Sequence, residues 1–120
     1  MAVVARGKWN DTGISLVAGQ EYSFTAAGQW CDWNKLCGPD GYSSDNPILR
    51  TTEWLRRVPH EKWFALIGSV DHDRRTFFRI GVKQTRKMEF GGVLTCFAND
   101  VGLMYFNNSG AVQLTVTRTA

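Results

Sequence analysis

The sequence has few of the residues that build disulfide frameworks and zinc sites, with three cysteines and two histidines among 120 residues. An odd number of cysteines argues against a disulfide framework. The cysteines and histidines also lack the spacing of a structural zinc site. Free thiols in a reducing compartment are the simpler interpretation. A bridge between Cys31 and Cys37, within one loop, is the alternative.

Long apolar runs are also missing. No segment approaches the ~20 consecutive apolar residues of a membrane-spanning helix. The N-terminal segment lacks the apolar core of a secretory signal. We therefore expect no membrane insertion, and a protein made in the cytoplasm without a signal peptide. Later release, or display at the cell surface, stays open.

Motifs of the common catalytic sites are absent as well. The sequence contains no nucleophile elbow and no phosphate-binding glycine loop. It has no paired carboxylates on a predictable face, and the acidic residues between positions 32 and 45 lack the glutamate that completes an EF-hand. These absences predict that the protein is not an enzyme.

Positive charge is in only mild excess, with a net charge of +3. Short basic pairs could contact phosphate, but such pairs are usually solvated surface. The pairs in question do not form one stripe along the sequence. They are Arg56 with Arg57, and Arg74 with Arg75 and Arg79. We therefore expect no nucleic-acid partner.

What the sequence does contain is the pattern of a small β protein. With 43% apolar residues and 12 glycines, the chain is expected to form one domain, residues 1–120, with one core and many turns. Apolar and polar residues alternate as in half-buried strands. A short apolar run lies at residues 13–17, and predicted strands cover residues 21–26, 63–70, 76–82, 93–98 and 111–118. Such strands favour an all-β antiparallel sandwich or barrel.

The strand at residues 63–70 is almost entirely apolar, as expected of a central strand buried on both faces. Residues 34–59 form the longest region without alternation, with a short helix predicted near residues 52–57. Residues 83–89 are predicted to be a connection. Long ordered loops on a β scaffold often carry function.

The connection at residues 99–110 concentrates polar oxygen atoms. Asp100, Asn107 and Asn108 offer the oxygen ligands that a hard cation such as calcium requires. The alternative is a long hairpin whose Asn and Asp side chains bond their own backbone. One carboxylate with two amides would make a weakly charged site, suited to the calcium levels outside cells.

Several aromatic side chains could stack on a sugar or a base. Trp63 lies in an apolar run, which predicts core packing for its side chain. Trp33 and Tyr105 lie beside loop signals and are better candidates for ligand contact. The full set is Trp30, Trp33, Trp54, Trp63, Tyr42 and Tyr105.

The motif ND at residues 99–100, with NNSG at 107–110 and an alternating terminal strand, resembles the calcium loop of the bacterial galactophilic lectins of the LecA type. The spacing from the Asp to the Asn pair agrees without a gap. The resemblance extends over roughly the whole chain. An N-terminal strand, AAG at 26–28, an aromatic segment at 30–33, GPDG at 38–41 and the strand at 65–68 occur in the family's order.

This resemblance implies a small antiparallel, jelly-roll-like β-sandwich of the galactose-binding-domain type, without enzymatic activity. It implies a monosaccharide, galactose or a related sugar, bound through a calcium ion that ligates two adjacent hydroxyls. The implied calcium ligands are the carboxylate of Asp100, the side-chain oxygens of Asn107 and Asn108, and the backbone carbonyls of Met104 and of Trp33 or Asp32.

The same resemblance places the sugar against Asp100, Asn107 and the backbone of Val101. The opposite wall is expected between residues 32 and 60. The family's further sugar-contacting side chains fall between residues 41 and 63, where this sequence is longer than the family and different from it. Asp32 is either a further calcium ligand or a hydrogen-bond acceptor for the sugar. The further sugar-contact candidates are Asp32, Trp33, Tyr42 and His60.

The leading function hypothesis is therefore a calcium-dependent lectin whose partners are the sugars of glycoconjugates. A homo-oligomer would add avidity through multivalency. The alternative from another class is a non-catalytic β-sandwich module, accessory to a larger bacterial protein, that binds no free sugar.

Overall fold

The computed structural model describes residues 1–43, 46–47, 50 and 52–119. Two 3-10 turns lie at Glu53–Leu55 and Tyr105–Asn107. None of the helices in this part of the chain is long and apolar enough to cross a membrane. The strands are β1 Ala2–Val4, β2 Asn10–Leu16, β3 Glu21–Ala27, β4 Trp30–Asp32, β5 Lys35–Cys37, β6 Asp40–Tyr42, β7 Trp63–Val70, β8 Asp73–Arg79, β9 Lys83–Lys87, β10 Gly92–Ala98 and β11 Asn108–Arg118.

The strands form two antiparallel sheets, which confirms the predicted β-sandwich. The six-stranded sheet has the order β5–β4–β11–β3–β9, with β1 also paired to β11. The five-stranded sheet has the order β2–β10–β7–β6, with β8 also paired to β7. The long strand β11 pairs with β4 at its start and with β3 further along, so it connects both halves of its sheet.

The main core lies between the sheets and follows from the period-2 pattern. Phe24 and Leu114 of the six-stranded sheet belong to one buried cluster with Phe64, Leu66 and Leu94 of the five-stranded sheet. Alternate residues of these strands point to opposite faces, so one face of each sheet supplies this cluster.

The outer face of β7 is covered as well, which confirms that this strand is buried on both faces. Ala65 and Ile67 point away from the main core and pack with Phe97, Val58 and Tyr105 in a second cluster. Val58 and Tyr105 come from the long connections, not from strands. These connections therefore lie over the outer face of the sheet.

Two predictions about connections are wrong. Residues 83–89 contain strand β9, which pairs with β3 from Glu21↔Lys87 to Thr25↔Lys83. Its polar, charged sequence fits an edge strand that is exposed on alternate residues. The irregular region 34–59 contains β5 and β6, each three residues long and too short to show alternation. The helix predicted near 52–57 is a single 3-10 turn.

Candidate functional site

The connection from β10 to β11 is held in place by a buried amide at its start. Asn99 is fully buried, and its Oδ1 accepts a 3.0 Å hydrogen bond from the backbone N–H of Val58. Its Nδ2 donates to the carbonyls of Val58, Glu61 and Lys62 at 2.9, 3.2 and 3.0 Å. Asn99 is therefore a structural residue that ties residues 58–62 to this connection.

A second support of the connection is the Arg57–Tyr105 pair. The Arg57 guanidinium donates a 3.0 Å hydrogen bond to the Tyr105 hydroxyl, which in turn donates to the carbonyl of Ala98. The guanidinium carbon lies 3.4 Å from the centroid of the Phe97 ring and 4.4 Å from that of Trp9. Tyr105 is 6% exposed, so the structure buries a ring that the sequence favoured as a ligand contact.

Asp100 is buried between these supports. Its Oδ1 accepts a 2.7 Å hydrogen bond from the backbone N–H of Val101, and its Oδ2 accepts a 3.0 Å bond from Nδ2 of Asn108. Burial raises the pKa of Asp100 to about 6, against the opposing effect of these two hydrogen bonds. The charge of Asp32 raises this pKa further.

Two amide oxygens beside Asp100 lack hydrogen-bond partners. Oδ1 of Asn107 and Oδ1 of Asn108 are both buried, and neither accepts a bond from the described residues. A buried acceptor without a donor costs about 1–3 kcal/mol unless a ligand, a water or an ion satisfies it. These oxygens and the Asp100 carboxylate therefore form an acceptor-only set, which fits a hard cation.

The described residues contain no group of three or more His, Cys, Asp or Glu side chains that could hold a metal. A cation beside Asp100 would thus depend on one carboxylate, two amides and backbone carbonyls. Calcium accepts such mixed oxygen ligands, whereas zinc favours His and Cys. The donor set fits the calcium ion that the family resemblance implies.

An open cavity of about 820 Å³ lies in front of Asp100. Most of the site residues predicted from the sequence line it, although they come from distant parts of the chain. Two predicted residues are not in the lining: Asn108, which is hydrogen-bonded to Asp100, and His60. The predicted residues in the lining are Asp32, Trp33, Tyr42, Asp100, Val101, Met104 and Asn107.

The turn between β4 and β5 contacts the connection from β10 to β11 and forms the opposite wall of the cavity. Asn108 of β11 pairs with Asp32 of β4, and the backbone N–H of Trp33 donates a 3.2 Å bond to the carbonyl of Asn107. Trp33 has a φ of 54°, an uncommon conformation for a large residue, and its side chain is 73% exposed. The indole is therefore held at the edge of the cavity by a local backbone constraint.

Asp32 and Tyr42 form a polar pair on this wall. The Tyr42 hydroxyl donates a 2.6 Å hydrogen bond to Oδ2 of Asp32. Burial and this bond raise the pKa of Tyr42 well above its usual range. The other Asp32 oxygen has no hydrogen bond within the described chain and is free to accept one from a ligand.

Trp63 contributes to the cavity in a way that the sequence did not indicate. It is buried as predicted, at 2% exposure, yet it lines the cavity. Its Nε1 is buried and has no acceptor among the described residues. Trp63 pairs with Tyr42 across β6 and β7, and the Arg56 guanidinium lies 4.9 Å from its ring. No sequence signal separates this indole from an ordinary core residue.

The structure does not bring His60 to the cavity. Its side chain is 81% exposed, and Nε2 lies 3.9 Å from a carboxylate oxygen of Glu61. The residue lies in the turn closed by the bond from the Glu61 N–H to the Val58 carbonyl. Because Asn99 fixes this turn at the start of the connection, His60 points elsewhere.

The cysteines are free. Cys31 pairs with Leu36, and Cys37 pairs with Trp30, in the β4–β5 hairpin. Neighbouring pairs point to opposite faces of a sheet, so the two sulfur atoms cannot meet. The alternative of a Cys31–Cys37 bridge is therefore wrong.

Comparison with solved structures identifies a protein of similar fold, described as "EclA N-terminal domain; PllA-like lectin". The TM-score is 0.75, the sequence identity is 19%, and the match covers 99% of this chain and 94% of the other. No family model matches the sequence. No curated protein matches it either. The similarity establishes that this chain has the fold of a lectin domain.

Proposed function

We propose that the protein is a calcium-dependent lectin that binds a monosaccharide, galactose or a related sugar, in the cavity in front of Asp100. One observation carries the proposal: Oδ1 of Asn107 and Oδ1 of Asn108 are buried and have no partner among the described residues. Asn108 is hydrogen-bonded to the buried Asp100 carboxylate, and Asn107 lines the open cavity together with Asp100. The fold shared with a PllA-like lectin supports it.

The chain supplies the cation with the carboxylate of Asp100 and the amide oxygens of Asn107 and Asn108. Backbone carbonyls of Met104 and of the 32–33 turn complete the set. A calcium ion in this position takes two adjacent sugar hydroxyls as further ligands. A site with a single carboxylate fits affinities of roughly 10⁻⁴–10⁻³ M, as in extracellular calcium modules.

The walls select the sugar. Asp32 accepts a hydrogen bond from a sugar hydroxyl through its other carboxylate oxygen, and the bond from Tyr42 fixes the orientation of the carboxylate. Trp63 lines the cavity, and its Nε1–H, which has no acceptor among the described residues, is the side-chain donor available to a sugar hydroxyl. Trp33 covers the apolar face of the ring. A sugar ring has both hydroxyl and C–H faces, so it satisfies all of these groups together.

A chelator experiment tests the calcium step. Calcium at about 100 times its Kd stabilises the folded state by about 2.7 kcal/mol. In a domain of this size, that corresponds to a rise in Tm of roughly 10 °C. The Asp100→Asn variant loses this rise, whereas Asp11→Asn, an exposed acid far from the cavity, keeps it. A calcium-induced rise that survives in Asp100→Asn contradicts the proposed site.

A glycan array with and without chelator tests the sugar step. The wild-type protein is expected to retain neutral, galactose-terminated glycans in calcium and to lose them in EDTA. The Trp63→Phe variant keeps the ring packing but removes the N–H donor, so it is expected to bind the same glycans more weakly. If calcium stabilises the protein but no glycan is retained, the lectin hypothesis is wrong. The alternative hypothesis, a β-sandwich interaction module that binds no free sugar, then takes its place.

A further inference from the structure

A second cavity, of about 530 Å³, lies beside the first. Leu55 lines both cavities. The second cavity brings Arg74 together with Arg56 and Arg57, from which it is separate in the sequence. The lining includes basic side chains and two indoles: Lys8, Arg56, Arg57 and Arg74, with Trp9 and Trp54.

The positive charge of this cavity has little internal compensation. None of its lining residues is acidic. Glu53 acts on Arg56, but within the described ranges no carboxylate forms an ion pair with Lys8, Arg57 or Arg74. The neighbouring acid Asp73 is instead paired with Arg75 at 2.8 Å. An anionic ligand would therefore meet uncompensated cations.

One donor in this cavity is already desolvated. Nε of Arg56 is buried and has no acceptor among residues of the described chain, and the residue as a whole is 8% exposed. Its NH2 group donates to the carbonyl of Pro59, and its guanidinium stacks on Trp63. A guanidinium held in this way is preorganised for a carboxylate or sulfate oxygen.

The partition between the cavities is a pair of short backbone segments. Arg56 forms a β-bridge with Val101, and the backbone N–H of Arg57 donates a 3.0 Å bond to the carbonyl of Asp100. Asp100 and Val101 line the first cavity, while Arg56 and Arg57 line the second. A glycan seated on Asp100 therefore needs to cross only this partition at Leu55 to reach the basic cavity.

We infer that the second cavity is a subsite for an acidic sugar residue, carrying a carboxylate or a sulfate, that extends from the monosaccharide bound in the first cavity. This inference rests on the proposed lectin function. Arg56, Arg74 and Lys8 bind the anionic group. Trp54, 71% exposed at the rim, packs on the apolar face of the sugar ring.

Paired glycans test the inference. Neutral lactose-type glycans and their 6-sialylated or 6-sulfated counterparts are compared on one array in calcium, and the best pair is then measured by calorimetry. The wild-type protein is expected to prefer the acidic partner roughly tenfold, as hydrogen bonds to charged groups allow. This preference falls when NaCl rises from about 50 to about 500 mM, because the cations are partly exposed.

The diagnostic variant is Lys8→Ser with Arg74→Ser, both exposed residues whose replacement spares the core. It is expected to bind the neutral glycan normally and to lose the acidic preference. Arg75→Ser, an adjacent arginine paired with Asp73 outside the cavity, is the matched control and keeps the preference. Equal binding of neutral and acidic glycans by the wild-type protein overturns the subsite and leaves the lectin function standing.

Other outcomes separate the two proposals. If no neutral glycan binds in calcium but sialic acid binds and the double variant loses it, the calcium-dependent sugar site in the first cavity fails. The extension from that site fails with it, and the second cavity remains as a separate site for an acidic sugar. If an oligonucleotide of matched charge competes as well as the acidic glycan, the cavity binds polyanions in general. That result overturns the acidic-sugar assignment.

Discussion

Asn108 donates a 3.0 Å hydrogen bond from Nδ2 to Oδ2 of Asp100, and both side chains are 3% exposed. The bond orients the Asn108 amide so that its other end, Oδ1, is left without a partner. The second free oxygen of the set, on Asn107, lies one residue earlier. Local pairing thus holds the carboxylate in place and leaves the amide oxygens for a ligand.

The raised pKa of Asp100, about 6, predicts an unusual pH dependence without calcium. The reference carboxyl value is 3.8, so the folded state binds the proton more tightly than the unfolded chain. Protonation therefore stabilises the fold fully below about pH 4, and this contribution disappears as the pH rises through about 6. The difference in unfolding free energy between Asp100→Asn and the wild type is expected to change across this window.

In the presence of calcium, we expect the stability to depend on pH in the opposite direction, because the ionised carboxylate of Asp100 binds a cation and the protonated acid does not. The rise in Tm caused by calcium is expected to be large at about pH 7.5 and small at about pH 5. Thermal unfolding with calcium and with EDTA at both pH values measures it. A calcium effect that is constant over this range would contradict the assignment of Asp100 as the charged ligand.

The strand pattern was predictable because the core strands obey simple periodicity. β3, β7, β10 and β11 were predicted to within a few residues. Buried and exposed positions alternate in β3 and in much of β11, whereas β7 is buried throughout and β10 is buried over its last five residues. β9 was missed because its side chains are polar on both faces. β9 pairs with β3 through backbone hydrogen bonds, and these produce no apolar pattern in the sequence.

The site was predictable only where its residues are close in sequence. The loop at residues 99–110 shows its oxygen donors directly, and the structure holds them as one unit. The opposite wall depends on long-range pairing, which brings Asp32 beside Asn108 and Tyr42 beside Trp63. His60 was placed wrongly because the Asn99 bonds that fix its turn join residues about 40 positions apart.

A pair of glycine variants tests how tightly the cavity wall is packed. Gly41 and Gly19 both have a positive φ, 75° and 84°, so both suffer backbone strain when they are replaced by alanine. A Cβ on Gly41 would lie 2.2 Å from the Trp63 carbonyl and 2.5 Å from the Ala65 nitrogen, whereas Gly19 has no atom within 4 Å.

Gly19→Ala is therefore expected to cost about 1 kcal/mol of unfolding free energy, from strain alone. Gly41→Ala is expected to cost several kcal/mol more, because backbone must move, and to displace the adjacent Tyr42 from the cavity. Urea denaturation measures both variants. Equal costs at the two positions would show that β6 does not pack against β7 as closely as described.

Thiol labelling tests the hairpin at the far wall. Burial raises the pKa of both Cys37 and Cys96 to about 12, and these residues are 8% and 0% exposed. Cys31 is partly exposed, and all three are free. Iodoacetamide is expected to add one label, at Cys31, to the native protein and three labels after denaturation. Mass spectrometry that finds Cys37 labelled first would contradict the hairpin register.

Removal of Arg57 tests the support behind the connection from β10 to β11, which carries the proposed calcium ligands. Its guanidinium stacks on Phe97 and Trp9 and donates to the Tyr105 hydroxyl. Partly buried cation–π contacts contribute about 0.5–2 kcal/mol, and a hydrogen bond from a charged donor contributes about 1.5–3 kcal/mol. Arg57→Ala is therefore expected to lower the unfolding free energy by about 2–5 kcal/mol.

The same change is expected to weaken calcium binding, because the Arg57 side chain holds Tyr105 of the loop through its hydroxyl. The backbone N–H of residue 57, which bonds the Asp100 carbonyl, is kept in this variant. Arg57→Lys keeps the charge but loses the planar fork, so it restores little of either property. Arg75→Ala, in an exposed pair with Asp73, changes the unfolding free energy by no more than about 0.5 kcal/mol. If Arg57→Ala is destabilised while its calcium affinity is unchanged, the arginine supports the sheet but does not order the loop.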